Sequence, residues 1–382
     1  MGNTFTALAP TLFSAAKEVA QEPMGALDSI NMNFDSKGVA IGDSVTVPVA
    51  PAAAVTTFTP AMTKAAGTDK IAESIAVIIT ANQETMWHLT GEQQKSLANA
   101  ESDKEWVSQM IKQGMRSLRN AAEAAACSVI YKGASRAWGT PATTPFATTI
   151  DDIANIYKIL KDNGAPMADL QMVIDTNAGL NARKLAIIQQ ADQAGTDAER
   201  RTGNFLRQFG FAIKESAGIA SHTKGTMLNA DSIAGGNAIG VTTVALEGSD
   251  SGTIIAGDVV TFSNHATVKY VINDPSTLSG AAAGNIIIGR PGLRTAIVDA
   301  TEAVLGANYT ANLAFERSAV VGVMRPPIIP PSSIISQMLI TDDKGLSYLL
   351  CETVGFGMVT WSLHLAYGFK VINSEFVCNF IG

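Results

Sequence analysis

The chain has 382 residues, of which only 16% are charged, below the roughly 25% of an ordinary soluble domain, so we expect apolar surface to be buried between subunits. The net charge of −7 excludes a protein that coats nucleic acid through a dense basic surface. Cys127, Cys351 and Cys378 stand at no metal-ligand spacing, which excludes a disulfide framework or a zinc site and predicts reduced, buried thiols.

The first 82 residues predict extended structure with one short helix. Apolar side chains recur at helical spacing over residues 8–19, and Pro23 with Gly25 then breaks the pattern. Residues 45–79 are rich in threonine, valine and proline and alternate in short stretches. This composition predicts a two-stranded ribbon rather than a compact domain.

No stretch of the sequence predicts a membrane span. The longest uncharged run, residues 44–63, is interrupted by prolines, and the run 353–369 alternates like a strand. The N-terminus lacks the basic region of a signal peptide, so we expect no membrane partner.

A long helix is predicted to begin at Ser102. Ser102 and Glu105 match a capping box, in which the hydroxyl accepts from the Glu105 backbone N–H and the carboxylate reaches back. Helical spacing then continues to Gly133, which gives roughly thirty residues or about 45 Å. We expect this helix to pack on a sheet or on neighbouring subunits through apolar side chains that include Trp106, Met110, Leu118, Ala121, Ala122, Ala125 and Ala126.

Residues 149–190 predict a helix, a strand and a second helix. The first helix covers residues 150–160 with Thr149 as its cap, the buried strand covers 170–175, and the second helix covers 177–190. The segment after the strand, Asp175-Thr176-Asn177-Ala178-Gly179, has neither a Walker pattern nor a GxGxxG motif. The sequence therefore predicts no nucleotide-binding unit here.

From about residue 222 to 315 the composition shifts to glycine, threonine, serine and valine. Short alternating runs are separated by turn residues and predict a small β-rich unit with strands near 241–246, 254–262, 268–272 and 285–288. The chain then returns to longer strands, which we expect at 346–354, 359–371 and 375–380.

No catalytic residue, cofactor site or metal site is predicted. His88, His222, His265 and His364 have no acidic or cysteine partner at a ligand spacing. Gly42-Asp43-Ser44 resembles a hydrolase nucleophile block, but the Asp-x-x-His that it requires is absent from the sequence, so a turn is expected instead. Arg200 and Arg201 lie in a polar segment that is either a solvated loop or a loop facing a neighbour or symmetry axis.

Several ordered segments resemble one known family. In the second half, the following segments resemble the coat proteins of P22-type tailed bacteriophages: Gly257–Phe262, Tyr270–Ile272, Asn285–Ile288, Pro291–Arg294, Phe315–Ala319 with Arg325-Pro326, Asp343–Ser347, and Ala366–Val371 with Glu375. The first half resembles the family in the order of its elements more than in its residues. The β-rich unit is smaller and more glycine-rich than the barrel of that family, which leaves its number of strands open.

The resemblance implies an α+β fold of the HK97-like capsid type with an inserted β-rich domain. Its parts would be an N-terminal arm (1–40), an E-loop (41–82), a P-domain (83–148) with a spine helix (102–132), an A-domain (149–221), the inserted β-domain (222–315), and return strands of the P- and A-domains (316–382).

The function implied is that of a non-enzymatic major capsid protein. Subunits would form pentamers and hexamers of an icosahedral head that encloses double-stranded DNA, assembled in the bacterial cytoplasm and located in the virion. The partners implied are other copies of the chain, scaffolding and portal proteins, a decoration protein, and weakly bound DNA. The assembly residues expected are Val55, Phe58, Ile75 and Ile79 in the E-loop and Arg200 and Arg201 in the A-domain.

The sequence leaves two alternatives open. An encapsulin-like compartment shell would share the fold, but the P22-like segments of the β-rich unit argue against it. A β-rich surface adhesion protein or hydrolase would require an export signal and a polar ligand or catalytic cluster, and the sequence suggests neither.

Overall fold

Two large β-sheets and one long helix organise the chain. The computed structural model describes residues 22–34, 39–49, 57, 60, 73–99, 103–143, 145–185, 207–227, 229–232, 236–248, 252–278, 283–299, 301–328, 336–342 and 345–382. The short helix predicted at residues 8–19 lies outside these ranges, as does Ser102 of the predicted capping box. The described part is β-rich with few helices.

The helices are α1 (Gly91–Asn99), α2 (Asp103–Lys132), α3 (Asp151–Asp162) and α4 (Thr176–Lys184) in the described part of the chain. The strands of the first half are β1 (Asn31–Phe34), β2 (Ser44–Val49), β3 (Glu73–Ile78), β4 (Ala81–Thr90), β5 (Arg136–Gly139), β6 (Leu170–Asp175), β7 (Arg207–Gln208), β8 (Phe211–Ser216) and β9 (Ser221–His222). The strands that follow are β10 (Asn229–Ser232), β11 (Thr243–Gly248), β12 (Gly252–Ile254), β13 (Val259–Phe262), β14 (Lys269–Asp274), β15 (Ser276–Leu278), β16 (Ala283–Ile288) and β17 (Glu302–Leu305). The last are β18 (Tyr309–Glu316), β19 (Val320–Arg325), β20 (Ser336–Thr341), β21 (Ser347–Gly355), β22 (Met358–Val371) and β23 (Val377–Ile381).

The long helix predicted from the capping box and the apolar spacing is α2, and it spans 30 residues. It lies across the six-stranded sheet, whose strand order is β1-β19-β22-β21-β20 with β4 against the first part of β22. Gly114 allows a close approach here, since a Cβ at that position would lie 2.9 Å from Thr85 Oγ1 of β4. Gly133 ends the helix against β22, where a Cβ would lie 2.6 Å from Val371 Cγ2.

The second sheet joins the region of residues 136–216 to the C-terminal strand. Its order runs β7-β8-β6-β18-β23-β5, and β5 then pairs with β14 through Lys269↔Ala137 and Tyr270↔Arg136. Helices α3 and α4 pack on this sheet around a core that includes Ile156 and Phe211. The two helices and the strand between them lie near their predicted positions.

The caps of these two helices differ. Ile150, not the predicted Thr149, is the N-cap of α3, and no side chain caps it. Asp151 and Asp152 occupy the first turn, where the positive end of the helix dipole favours carboxylates. Asp175 caps α4 by accepting from the Asn177 N–H at 3.2 Å. This helix ends at Lys184, and residues 186–190 of the predicted helix lie outside the described part.

The β-rich unit closes on itself. Its strand order is β13-β17-β10-β11-β16-β14, and β13 also pairs with β14, so these six described strands form a closed barrel. A separate hydrophobic core fills it, with Met227 and Leu305 as its first and last buried members. The predicted run 254–262 is two strands, β12 and β13, because Gly257 adopts a φ of 101° between them.

The predicted boundary of this unit at residue 315 is wrong. Strand β18 lies between β23 and β6 in the second sheet, which we call the main sheet. Leu313 of this strand belongs to the hydrophobic core under the long helix α2, not to the core of the barrel. The barrel therefore ends after β17, near Leu305. The strands predicted nearest the C-terminus are present with boundaries shifted by one or two residues.

Candidate assembly surfaces

Strands β2 and β3 form an antiparallel ribbon, as the alternation of residues 45–79 predicts. Its register runs from Ser44↔Ile78 to Val49↔Glu73. At its base the Ile79 N–H donates to Asp43 O at 2.9 Å and closes the ribbon, and the Thr80 N–H donates to Tyr367 O of β22 at 3.1 Å and fastens it to the six-stranded sheet.

One face of the ribbon is apolar, and only part of it is buried against the rest of the chain. Val45 pairs with Val77 and Val47 pairs with Ile75, so these four side chains share one face. Val77 is fully buried against Val321 and Val323 of β19, whereas Val45, Val47 and Ile75 are only partly covered. The apolar face therefore extends beyond the surface that its own subunit can cover.

The structure separates the predicted assembly residues. Val55, Phe58, Arg200 and Arg201 lie outside the described residues, so their expected role stays a prediction. Ile75 is half-buried on the ribbon. Ile79 is fully buried in the same cluster as Val77, and this corrects its assignment to an interface, because a side chain enclosed by its own subunit cannot contact a neighbour.

The Gly42-Asp43-Ser44 segment is a turn that opens the ribbon. Asp43 Oδ2 accepts from the Ala40 N–H at 2.8 Å, and Gly42 adopts a φ of 93°. The Asp43 carboxylate therefore stabilises the backbone of a turn, as expected for a turn rather than a nucleophile block.

The spine helix α2 buries a stripe that only partly matches the prediction. Leu118 is 2% exposed, while Trp106, Met110 and Ala125 are partly buried against the core. The fully enclosed small positions are Ala122 and Ala126. Ala125, which was expected to pack on the sheet, lies against the core but is less enclosed than these two alanines.

Two charged residues of the same helix are also enclosed, and the sequence predicts neither. Arg119 donates to Asp342, in the turn after β20, and at 3.2 Å to Tyr348 Oη. The side chains of Arg119 and Asp342 are 1% and 0% exposed. The partners are 223 positions apart along the chain, so no local pattern could reveal the pair.

Glu123 holds residues 22–30, which we call the arm anchor, against the spine helix. Its carboxylate accepts from the Ala26 N–H at 2.7 Å, from the Leu27 N–H at 2.9 Å and from Ser216 Oγ at 2.6 Å. Burial raises the pKa of Glu123 above its ordinary value, although these hydrogen bonds act in the opposite direction. Three separate parts of the chain thus meet at one carboxylate.

A second interaction fastens the arm anchor to the same helix. Glu22 accepts from Arg116 Nη2 at 2.6 Å and from Asn120 Nδ2 at 2.7 Å. Arg116 and Glu22 are 39% and 40% exposed, so this contact lies at the rim of the anchor. The course of residues 22–27 is therefore fixed by contacts within the same chain.

His222 and Asp258 are the described pair that most resembles a catalytic dyad. Their Nε2 and Oδ1 atoms are 2.8 Å apart, and Tyr131 Oη lies 3.4 Å from His222 Nδ1. However, both side chains are at most 2% exposed, and Asp258 also accepts from the N–H groups of Gly225 and Ile255. A substrate cannot reach this pair, which instead joins the barrel to the spine helix.

The remaining candidate groups do not converge. His364 lies 3.5 Å from Glu84 and 2.9 Å from Ser362 Oγ, and the described residues contain no cluster of three metal-ligand side chains. All three cysteines are free and buried, as predicted. Burial raises the pKa of Cys351 to about 11 and that of Cys378 to about 12, so neither is a thiolate at neutral pH. No helix in the described part is long and apolar enough to cross a bilayer.

Comparison with solved structures finds matches along nearly the whole chain. The capsid of the cyanophage P-SCSP1u matches with a TM-score of 0.50 at 12% identity, covering 95% of this chain and 89% of that one. A chain of Mycobacterium phage Che8 matches with a TM-score of 0.43 at 13% identity, covering 90% and 85%. The virus-like particle from Pyrococcus furiosus matches with a TM-score of 0.46 at 7% identity, covering 98% of both chains.

The cyanophage match shows the fold of the chain. The described chain shares the mixed α/β, β-rich fold of a phage capsid subunit along nearly its whole length. No family model matches the sequence, and no curated protein matches it.

Proposed function

We propose that this chain is a major capsid protein that assembles into the shell of a tailed bacteriophage. The observation that carries the proposal is the agreement in fold with the cyanophage capsid subunit over 95% of the chain. The match covers 89% of that subunit as well, so it is not limited to one small module.

The ribbon supports the same function on physical grounds. A two-stranded ribbon is marginally stable by itself in water, so an apolar face that its own subunit leaves half-covered favours contact with another protein. In a shell, the neighbouring subunit supplies that contact at every position.

The finer parts of the proposal follow from the resemblance to P22-type coat proteins. They are pentamers and hexamers, an icosahedral head around double-stranded DNA, assembly in the bacterial cytoplasm with scaffolding and portal proteins, and a decoration protein on the outside. The net charge of −7 suits a shell that confines DNA with weak, non-specific contact. The proposal assigns the chain no catalytic role, and it includes the barrel as an inserted domain.

Assembly of the purified chain tests this function. We expect negative-stain microscopy and sedimentation velocity to show closed shells or large oligomers, either alone or after addition of a scaffolding protein. A monodisperse monomer at every concentration and under both conditions would contradict the proposal.

A further inference from the structure

The six-stranded sheet has one long edge that the described residues leave unpaired. Strand β4 runs for ten residues along β22, with a continuous register from Thr90↔Met358 to Ala81↔Tyr367. Among the described residues, β22 is the strand with which it pairs. The outer strands β1, β7 and β20 have four, two and six residues, so β4 forms the longest of these edges.

The hydrogen-bond pattern shows which groups of β4 face this edge. The Gly91 N–H donates to Gly357 O at 3.1 Å, which makes this a bonded pair that continues the β4–β22 register. Bonded and non-bonded pairs alternate in an antiparallel ladder, so the odd-numbered residues of β4 bond to β22. The even-numbered residues direct their N–H and C=O groups away from it.

Thr90 confirms the alternation and shows how an outward group can be satisfied. Its N–H donates to Gln93 Oε1 at 3.0 Å instead of to β22. The described residues show no comparable acceptor for the four other outward N–H groups, which belong to Asn82, Glu84, Met86 and His88.

This edge also lacks the usual protection against pairing. Edge strands are commonly blocked by proline, a bulge or lysine, yet β4 reads ANQETMWHLT and its register has no bulge. Its one charged residue, Glu84, lies 3.5 Å from His364 of the same sheet. Met86 is 62% exposed at the middle of the edge, so the strand offers an apolar contact as well as backbone groups.

We propose that the outer edge of β4 accepts an extended strand from a second copy of this chain. The inference rests on the proposed shell function, because a shell places copies in equal number at fixed positions beside each edge. The four outward residues repeat about every 6.8 Å and span about 20 Å, the length of a six- or seven-residue strand. Backbone hydrogen bonds supply the affinity, and contact with Met86 supplies selectivity.

Residue-resolved hydrogen exchange on the full-length chain tests this pairing. Shells assembled from the purified chain alone are pulse-labelled beside free subunits, then dissociated and read by fragmentation mass spectrometry. In free subunits the amides of Asn82, Glu84, Met86 and His88 should exchange fast, while those of Gln83, Thr85, Trp87 and Leu89 are protected. In shells the even-numbered amides should slow at least 100-fold, which gives uniform protection along the strand.

The possible outcomes distinguish a failure of the edge pairing from a failure of the proposed shell function. Shells in which the even-numbered amides still exchange fast would overturn the edge pairing and leave the shell function intact. Protection already present in free subunits would show that the edge is covered within one chain, which also overturns it. Protection that appears only after another protein is added would reject a second copy as the occupant. A failure to assemble under any condition would count against the shell function, on which the inference depends, and would therefore overturn both.

Discussion

Arg119 and Asp342 form an enclosed ion pair between the middle of the spine helix and the turn that follows β20. Both side chains are at most 1% exposed, and Tyr348 Oη lies 3.2 Å from each of the two groups. Asp342 also accepts from the Leu346 N–H at 3.0 Å, so it shapes the turn as well as neutralising the arginine. Helix, turn and strand β21 are thus held together by one small polar cluster in an apolar core.

Removing one member of this pair should destabilise the subunit strongly. Arg119→Met leaves a buried, unpaired carboxylate, and we expect the free energy of unfolding to fall by about 3–5 kcal/mol in urea denaturation. Arg116→Met is the matched control on the same helix, because its ion pair with Glu22 is about 40% exposed and should contribute less than about 1 kcal/mol. Equal losses for the two variants would contradict the role of enclosure.

The raised pKa of Glu123 predicts an unusual pH dependence. Because the folded pKa lies above the ordinary value of 4.5, the folded state binds the proton more readily than the unfolded state. The stability contributed by Glu123 is therefore fully present below pH 4.5 and lost as the pH rises through the folded pKa. Urea unfolding across this range should show the decline in wild type and not in Glu123→Gln. Parallel curves for the two proteins would mean that the hydrogen bonds from the arm anchor outweigh burial.

Three alanines of the spine helix form a graded test of its packing. Ala122 is fully buried, Ala125 is partly buried and Ala124 is exposed. Aspartate at position 122 would enclose an unpaired charge and should cost several kcal/mol, aspartate at 125 should cost less, and aspartate at 124 should change stability by about 0.5 kcal/mol or less. Thermal unfolding and soluble yield measure the order. A different order of the three would show that the helix faces the sheet through another stripe.

Two valine substitutions in the ribbon should affect different quantities, one the stability of the free subunit and the other its assembly. Val77→Ala removes a buried side chain at the base and should destabilise the free subunit by about 1–3 kcal/mol. Val47→Ala, farther from the body on the same face, should barely change subunit stability yet raise the protein concentration at which shells appear. Light scattering during assembly provides the measurement. If Val47→Ala assembled like wild type, the outer part of this face would have no role between subunits.

The barrel should fold when expressed without the rest of the chain. Residues 223–306 contain all six barrel strands and the members of their separate core, so we expect dispersed amide resonances and a strand-rich circular dichroism spectrum. Ile272→Asp, which places a charge in that core, is the control that should abolish the dispersion. A random-coil spectrum of the unmodified fragment would show that β5 and the spine helix are needed for folding.

Local patterns in the sequence predict much of the secondary structure that these tests use. The capping box and 3.6-residue spacing predict α2, and alternation predicts the ribbon and four of the six barrel strands, because each pattern reports the face that a nearby element buries. Strands β10 and β17 of the barrel were not predicted. What the sequence could not provide is the pairing of distant elements. Strand β18 pairs with β23 and β6, far from it in the sequence, and these pairings place the barrel boundary near Leu305 instead of residue 315.

The candidate site was predicted less completely for the same reason. Arg119, Glu123 and the His222–Asp258 pair are polar residues whose burial depends on partners 36 to 223 positions away. In the sequence, Arg119 and Glu123 look like ordinary exposed positions of a helix. Ile79 shows the reverse error, since an apolar residue at the end of an alternating stretch belongs equally well to an interface or to a core.

The direct pairing of His222 with Tyr309 bears on how such a chain could change over generations. The strand that leads into the barrel and the strand that leaves it lie side by side, about 5 Å apart as neighbouring strands are. A coding segment for the barrel could therefore be gained or lost in a single recombination event, with a tight turn bridging the gap and the order of the main sheet unchanged. The body of this subunit and its barrel can then have separate ancestries, and a search for relatives should treat them as two sequences.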